Sequence, residues 1–165
     1  GNETAQAWRI ALERTEGPTV LVLTRQALPT LPGSPNVEQG AWVVADGSDC
    51  TLIATGSEVS LALAAREQLA AQQISARVVS MPSWELFEQQ EQAYRDQVLP
   101  PTVTARVAVE QASTFEWAHY VGPTGAIVGM TTFGASAPLK VLQKEFGFTK
   151  ERVIEAARQQ LSQAR

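Results

Sequence analysis

The sequence has 165 residues, the size of a single domain with at most a short appended arm, and is long enough to bury a sizeable core. Its 44% hydrophobic and 18% charged residues exclude a disordered chain, and its net charge of −4 excludes a basic field that would attract nucleic acid or an anionic membrane. One cysteine excludes an internal disulfide and a cysteine-based zinc site, and one histidine leaves few ways to build a catalytic triad.

In chain order, Asn2 is placed to cap a helix over 3–15 that carries Ala5, Trp8, Ala11 and Leu12 on one face. Gly17 and Pro18 stop it, and the β-branched run 19–24 reads as a short buried strand with Arg25 and Gln26 at its carboxyl end. Residues 27–40 hold Pro29, Pro32, Pro35, Gly33 and Gly40, so a linker is expected there. Beyond it, runs 41–45 and 50–54 read as strands joined in a hairpin by the Asp-Gly-Ser-Asp turn at 46–49.

Ser57 is placed to cap a helix to about Gln72, with Val59, Ala62, Leu63 and Leu69 on its inner stripe. A strand over 76–80 follows, ended by Pro82. Ser83 then caps a helix through about Ala93, well before Pro100 and Pro101. A strand over 106–110, a short helix over 115–120 stopped by Gly122, and a strand over 126–129 come next. Ser136 is placed to cap a helix to Phe146 with Gly147 just past its end, and Thr149 to cap a last helix with Val153, Ile154, Ala157 and Leu161 on one face. Strands alternating with helices predict a three-layer α/β/α domain. Its sheet has about five mostly parallel strands with an antiparallel edge, and an orphan helix–strand pair precedes it. No apolar run reaches the ~20 residues of a membrane span and no signal pattern opens the chain, so a cytoplasmic protein with no membrane or nucleic-acid partner is expected.

Few residues offer chemistry. The Ala-Thr-Gly-Ser-Glu run at 54–58 is a strand, turn and helix start that would present free amides to an anion. It lacks the further glycines of a dinucleotide fingerprint and the lysine of a P-loop, so a turn glycine with a capping serine is the expected reading. Arg25 lies where open α/β sheets place ligands, and two readings fit it: a two-pronged grip on a phosphate, or an ordinary surface or interdomain salt bridge. His119 has no nucleophile or orienting acid beside it in sequence, so a structural or surface histidine is expected. Glu110 ends a strand without a visible partner and reads as structural, and Cys50 reads as a small buried hydrophobe. Trp8, Trp42, Trp84 and Trp117 read as core and interface packing, and the glycosylation-like Asn2-Glu3-Thr4 as accidental. No metal-ligand spacing is present.

The chain resembles transketolase over essentially its whole length. The resemblance lies in the Gly-Asn-Glu-Thr run at 1–4 with Ala7 and Trp8, Leu-Thr-Arg-Gln at 23–26 with Leu28 and Pro29, and Ile-Ala-Thr-Gly-Ser-Glu-Val at 53–59. It continues in Arg-Val-Val-Ser-Met-Pro at 77–82, Trp-Glu-Leu-Phe at 84–87, Val98 to Pro100, Tyr120 to Gly122, and Gly129 with Met130. Phe-Gly-Ala-Ser-Ala-Pro at 133–138 and Phe-Gly-Phe-Thr at 146–149 complete it.

The resemblance implies a piece of a longer enzyme: a remnant of a pyrimidine-binding domain over 1–26, a linker over 27–40 and a transketolase C-terminal domain over 41–165. The start at Gly1 without Met suits a proteolytic or engineered fragment. The implied parent moves a two-carbon ketol unit between phosphorylated sugars. It is implied to be a homodimer using thiamine diphosphate and a divalent metal, Mg or Ca, with none of these bound to the fragment and no catalytic residue in it. Arg25 matches the arginine that grips the substrate's phosphate in the family. Two alternatives stand beside this reading: the C-terminal domain of a deoxyxylulose phosphate synthase or of a 2-oxo acid dehydrogenase β subunit, and a stand-alone binding or interaction module.

Overall fold

The computed structural model describes residues 1–31, 33 and 35–164; the expected linker proline Pro32 lies outside the described residues. Five strands form one sheet: β1 (Trp42–Ala45), β2 (Cys50–Ala54), β3 (Ala76–Ser80), β4 (Arg106–Ser113) and β5 (Ala126–Met130). Their order is β1-β3-β2-β4-β5, with β1 antiparallel to β3 and every other pair parallel. The helices are α1 (Asn2–Glu13), α2 (Glu58–Ala70), α3 (Trp84–Glu88), α4 (Gln92–Val98), α5 (Trp117–Val121), α6 (Leu139–Glu145) and α7 (Lys150–Gln163), with a 3₁₀ turn over Val37–Gln39.

Strand β2 is buried at every residue, which is why it reads as a continuous apolar run without alternation. Alternate residues feed two cores. Leu52, Ala54, Val78, Val107 and Val109 pack against Val59, Ala62 and Leu69 of α2 and Val153 and Ala157 of α7. Ile53, Val79 and Ala108 pack on the opposite face against Phe87, Val98, Trp117 and Tyr120. The layered α/β/α expectation is met.

Several local expectations are not. The 46–49 turn does not close a hairpin: β1 pairs with β3, which slots between β1 and β2. The turn instead folds over the start of β3, where the amides of Ser48 and Asp49 donate to Ser75 O and Asp46 Oδ1 accepts from Arg77 Nη2 at 2.6 Å. The 19–24 run forms no strand, and Val20 and Val22 are 82% and 92% exposed, because among the described residues no strand lies beside it.

The expected helix over 83–93 is two. Ser83 does cap α3, accepting from the Leu86 amide, but α3 stops at Glu88 and α4 runs on to Val98. Arginines of the sheet hold the far end of α4: Arg77 donates to Gln97 O and Val98 O, and Arg106 to Leu99 O and Pro100 O. These are carbonyls a helix terminus leaves unpaired, so tertiary contacts extend the helix past where the sequence signal ends. Strand β4 likewise outruns its expected end at Glu110 through a register shift between Glu110 and Ser113.

Three expected caps fail. Asn2 lies inside α1, whose cap position is Gly1, because its side chain donates instead to Leu31 O. Ser57 has helical backbone angles and spends its hydroxyl on Glu58 Oε1 at 2.5 Å. Pro138, with φ already at −55°, takes the cap position expected for Ser136.

Candidate functional site

Arg25 stands on a bend of the N-terminal arm. Thr24 Oγ1 accepts from the Gln26 amide at 3.3 Å, and the Thr24 and Gln26 side chains bond each other, so both neighbours of Arg25 tie themselves together and leave its side chain to project. Arg25 is exposed, and among the described residues no ion pair includes it. Its guanidinium thus makes no ion pair among the described residues, and the phosphate and interdomain salt-bridge readings both stand. The charge, the planar fork and the exposure suit a doubly charged oxyanion.

The arm meets the sheet domain through α1, and it does so by the unexpected face. Trp8 and Leu12 are 53% and 78% exposed and Ala5 is exposed, so this stripe is not packed within the chain. Polar side chains turn inward instead. Glu3 Oε1 accepts from Trp42 Nε1 at 2.8 Å and from Ser80 Oγ at 2.5 Å, Gln6 Oε1 accepts from the Val37 amide, and Arg9 pairs with Glu38 at 2.8 Å. A stripe of polar residues at helical spacing opposite the apolar one was the available signal for this contact.

The carboxyl ends of β2 and β4 form the place where the chain leaves the sheet in opposite directions, toward β3 and toward β5, the crevice where open α/β sheets hold ligands. The start of α2 lies there, but it is not open to an anion. Glu58 is only 4% exposed at this terminus and accepts from Ser57 Oγ and Gln111 Nε2, both at 2.5 Å, so a carboxylate already meets the positive end of the helix. Glu110, half-buried on β4 just before its register shift, has its carboxyl pushed up from about 4.5 to about 7, first by burial and then by the charge of Glu58. The cavity between α1, the linker and this crevice measures about 60 Å³, room for a few waters.

The remaining candidates lie apart from Arg25. His119 is largely exposed, with Nε2 3.3 Å from Glu88 Oε1 and its ring edge-on to Tyr120, a surface histidine on α5. Cys50 is fully buried, and burial pushes its thiol up to about 12, which leaves it inert. Trp84 and Trp117 pack at 5.1 Å in a T-shape within the core, and Trp42 serves the α1 contact. Among the described residues no group of three or more His, Cys, Asp or Glu could hold a metal ion, and no helix is long and apolar enough to cross a membrane.

A family model described as the transketolase-like TK C-terminal domain matches residues 40–149. The transketolase of Geobacillus stearothermophilus is 49% identical over 162 residues, covering 93% of this chain and 24% of that protein. The solved transketolase of Leishmania mexicana superposes with a TM-score of 0.91 at 43% identity, over 98% of this chain and 24% of that one. A Pichia stipitis transketolase solved in complex with sedoheptulose-7-phosphate gives 0.91 and 40% over the same shares. The chain spans about a quarter of the length of each of these relatives.

Proposed function

The chain belongs to the transketolase-like TK C-terminal domain family, and from that premise we propose that it serves a transketolase, moving a two-carbon ketol unit between phosphorylated sugars. The observation that carries the reading is that the likeness runs through arm, linker and sheet domain alike, at 49% identity over 93% of the chain. Identity of that order to proteins named transketolase also favours it over the synthase and dehydrogenase alternatives. A stand-alone anion-binding module is disfavoured, since Glu58 already fills the helix start that such a module would use.

In this reading residues 1–26 end a pyrimidine-binding domain, 27–40 link, and 41–165 form the C-terminal domain. Arg25 binds the phosphate of the sugar, donating two parallel N–H bonds to its oxygens, and its exposure without an ion-pair partner among the described residues supports that role. The phosphate that Arg25 would take is carried by the sedoheptulose-7-phosphate bound to the Pichia relative. Thiamine diphosphate and a divalent ion, Mg²⁺ or Ca²⁺, supply the carbanion chemistry of such an enzyme. Among the described residues no group of three or more His, Cys, Asp or Glu is placed to hold the ion. No step is therefore assigned to this chain's residues beyond phosphate binding. A homodimer belongs to the same reading, supported by the exposed apolar side chains Phe115, Phe133, Leu139 and Val141, as does a cytoplasmic location.

The test is steady-state kinetics of the full-length enzyme with Arg25→Ala. The KM for a phosphorylated ketose rises about tenfold or more while kcat changes little, and an unphosphorylated ketose is used as before. Equal effects on both ketoses would overturn the assignment.

A further inference from the structure

The N-terminal helix is held to the sheet domain with little apolar burial. No residue of α1 is fully buried, its large apolar side chains Trp8 and Leu12 are exposed, and Ala7, Ile10 and Ala11 are only half-buried. What joins it to the β-sheet is one oxygen: Glu3 Oε1 takes both the indole N–H of Trp42 on β1 and the hydroxyl of Ser80 at the end of β3. These two strands are paired antiparallel with Trp42 opposite Ser80, so the two donors are side by side on the sheet and converge on one acceptor. Ser80 is fully buried, and its hydroxyl would lose this partner without recourse to solvent. The other α1 hydrogen bonds go to the linker, where Asn2 donates to Leu31 O, and to the 3₁₀ turn, where Arg9 and Glu38 are both about half exposed and form a weak pair.

We infer that Glu3 is a positioning residue, the latch that fixes α1, and with it the chain leading to Arg25, against the carboxyl edge of β3 in the C-terminal sheet. The latch itself stands on the geometry above. Its consequence for Arg25 rests on the function proposed here, in which the arm must present that guanidinium at a set distance from the rest of the enzyme.

Hydrogen exchange of the 165-residue chain reads the latch without substrate. The Trp42 indole N–H and the α1 amides are protected in the wild type. Glu3→Ala speeds their exchange about tenfold or more, while the amides of β2 and β4 stay unchanged. Glu3→Gln keeps an acceptor oxygen at the same reach and retains most of the protection. Glu3→Asp keeps the charge but is one methylene too short, and behaves like Glu3→Ala. Unprotected α1 amides in the wild type, or wild-type exchange in Glu3→Ala, would overturn the latch.

In the full-length enzyme, Glu3→Ala raises the KM for a phosphorylated ketose with kcat little changed, and Glu3→Gln restores it. Arg25→Ala measured alongside separates the two claims. If Arg25→Ala leaves KM unmoved, the phosphate reading falls while the exchange data still decide the latch. If Arg25→Ala raises KM and Glu3→Ala does not, the positioning claim falls.

Discussion

Single residues at the carboxyl end of the sheet carry charge states that packing sets. Glu110 holds its proton to about pH 7 in the folded chain, whereas the unfolded chain releases it near 4.5. The folded state therefore binds more protons between those values. The stability contributed is fully present below about pH 4.5 and is lost as pH rises through 7. Thermal melts are expected to show the wild type losing midpoint temperature from pH 5 to pH 8. Glu110→Gln, neutral at every pH, is expected to show a flatter profile and to be the more stable protein at pH 8. Sequence reading placed Glu110 at a strand end but had no view of Glu58, which reaches the same crevice from another element. The same limit hid Glu3. Its role depends on Trp42 and Ser80, distant in sequence, and adjacency in sequence carries no trace of three elements converging on one oxygen. Cys50 was legible because it opens the apolar run 50–54 in the sequence itself.

At the scale of elements, signals confined to a few neighbouring residues were legible and those set by partners were not. The end of α6 is a local affair. Gly147 sits at φ 78°, its amide bonds Lys144 O, and the Phe148 amide bonds Gln143 O, the double closure that ends a helix on a left-handed glycine. A Cβ there would meet only Arg152 Cγ at 3.9 Å, so Gly147→Ala is expected to cost about 1 kcal/mol from backbone angle alone. The 46–49 turn is different. Its residues suit a hairpin, yet β3 inserts between the strands it was expected to pair, and which strand pairs with which is decided by the whole sheet. The insertion leaves a mark at Gly47, where an added Cβ would lie 2.3 Å from Ala76 C and 2.4 Å from Arg77 N. Gly47→Ala is therefore expected to destabilise by about 2 kcal/mol or more, well beyond Gly147→Ala, with the two compared by urea midpoints. The run 19–24 shows the converse error: β-branched residues make a strand only where a neighbouring strand completes the hydrogen bonds.

For the whole molecule, the division into a packed α/β domain and a thinly attached arm is the main mechanical fact. The sheet domain buries Leu52, Ile53, Val78, Val107 and Trp117 between two helical layers, while the arm exposes Val20, Val22, Leu23, Trp8 and Leu12. Limited proteolysis is expected to cut first between residues 15 and 36 and to leave a product retaining the five strands. A resistant arm would mean that it is packed in solution. In the proposed reading this chain's share of the enzyme is scaffold and phosphate grip. Mixing the purified 165-residue chain with thiamine diphosphate, Mg²⁺, a ketose phosphate and an aldose phosphate tests that most directly. No two-carbon transfer is expected from this chain while the full-length enzyme turns over; transfer by the chain alone, at a rate near that of the full-length enzyme, would contradict the account.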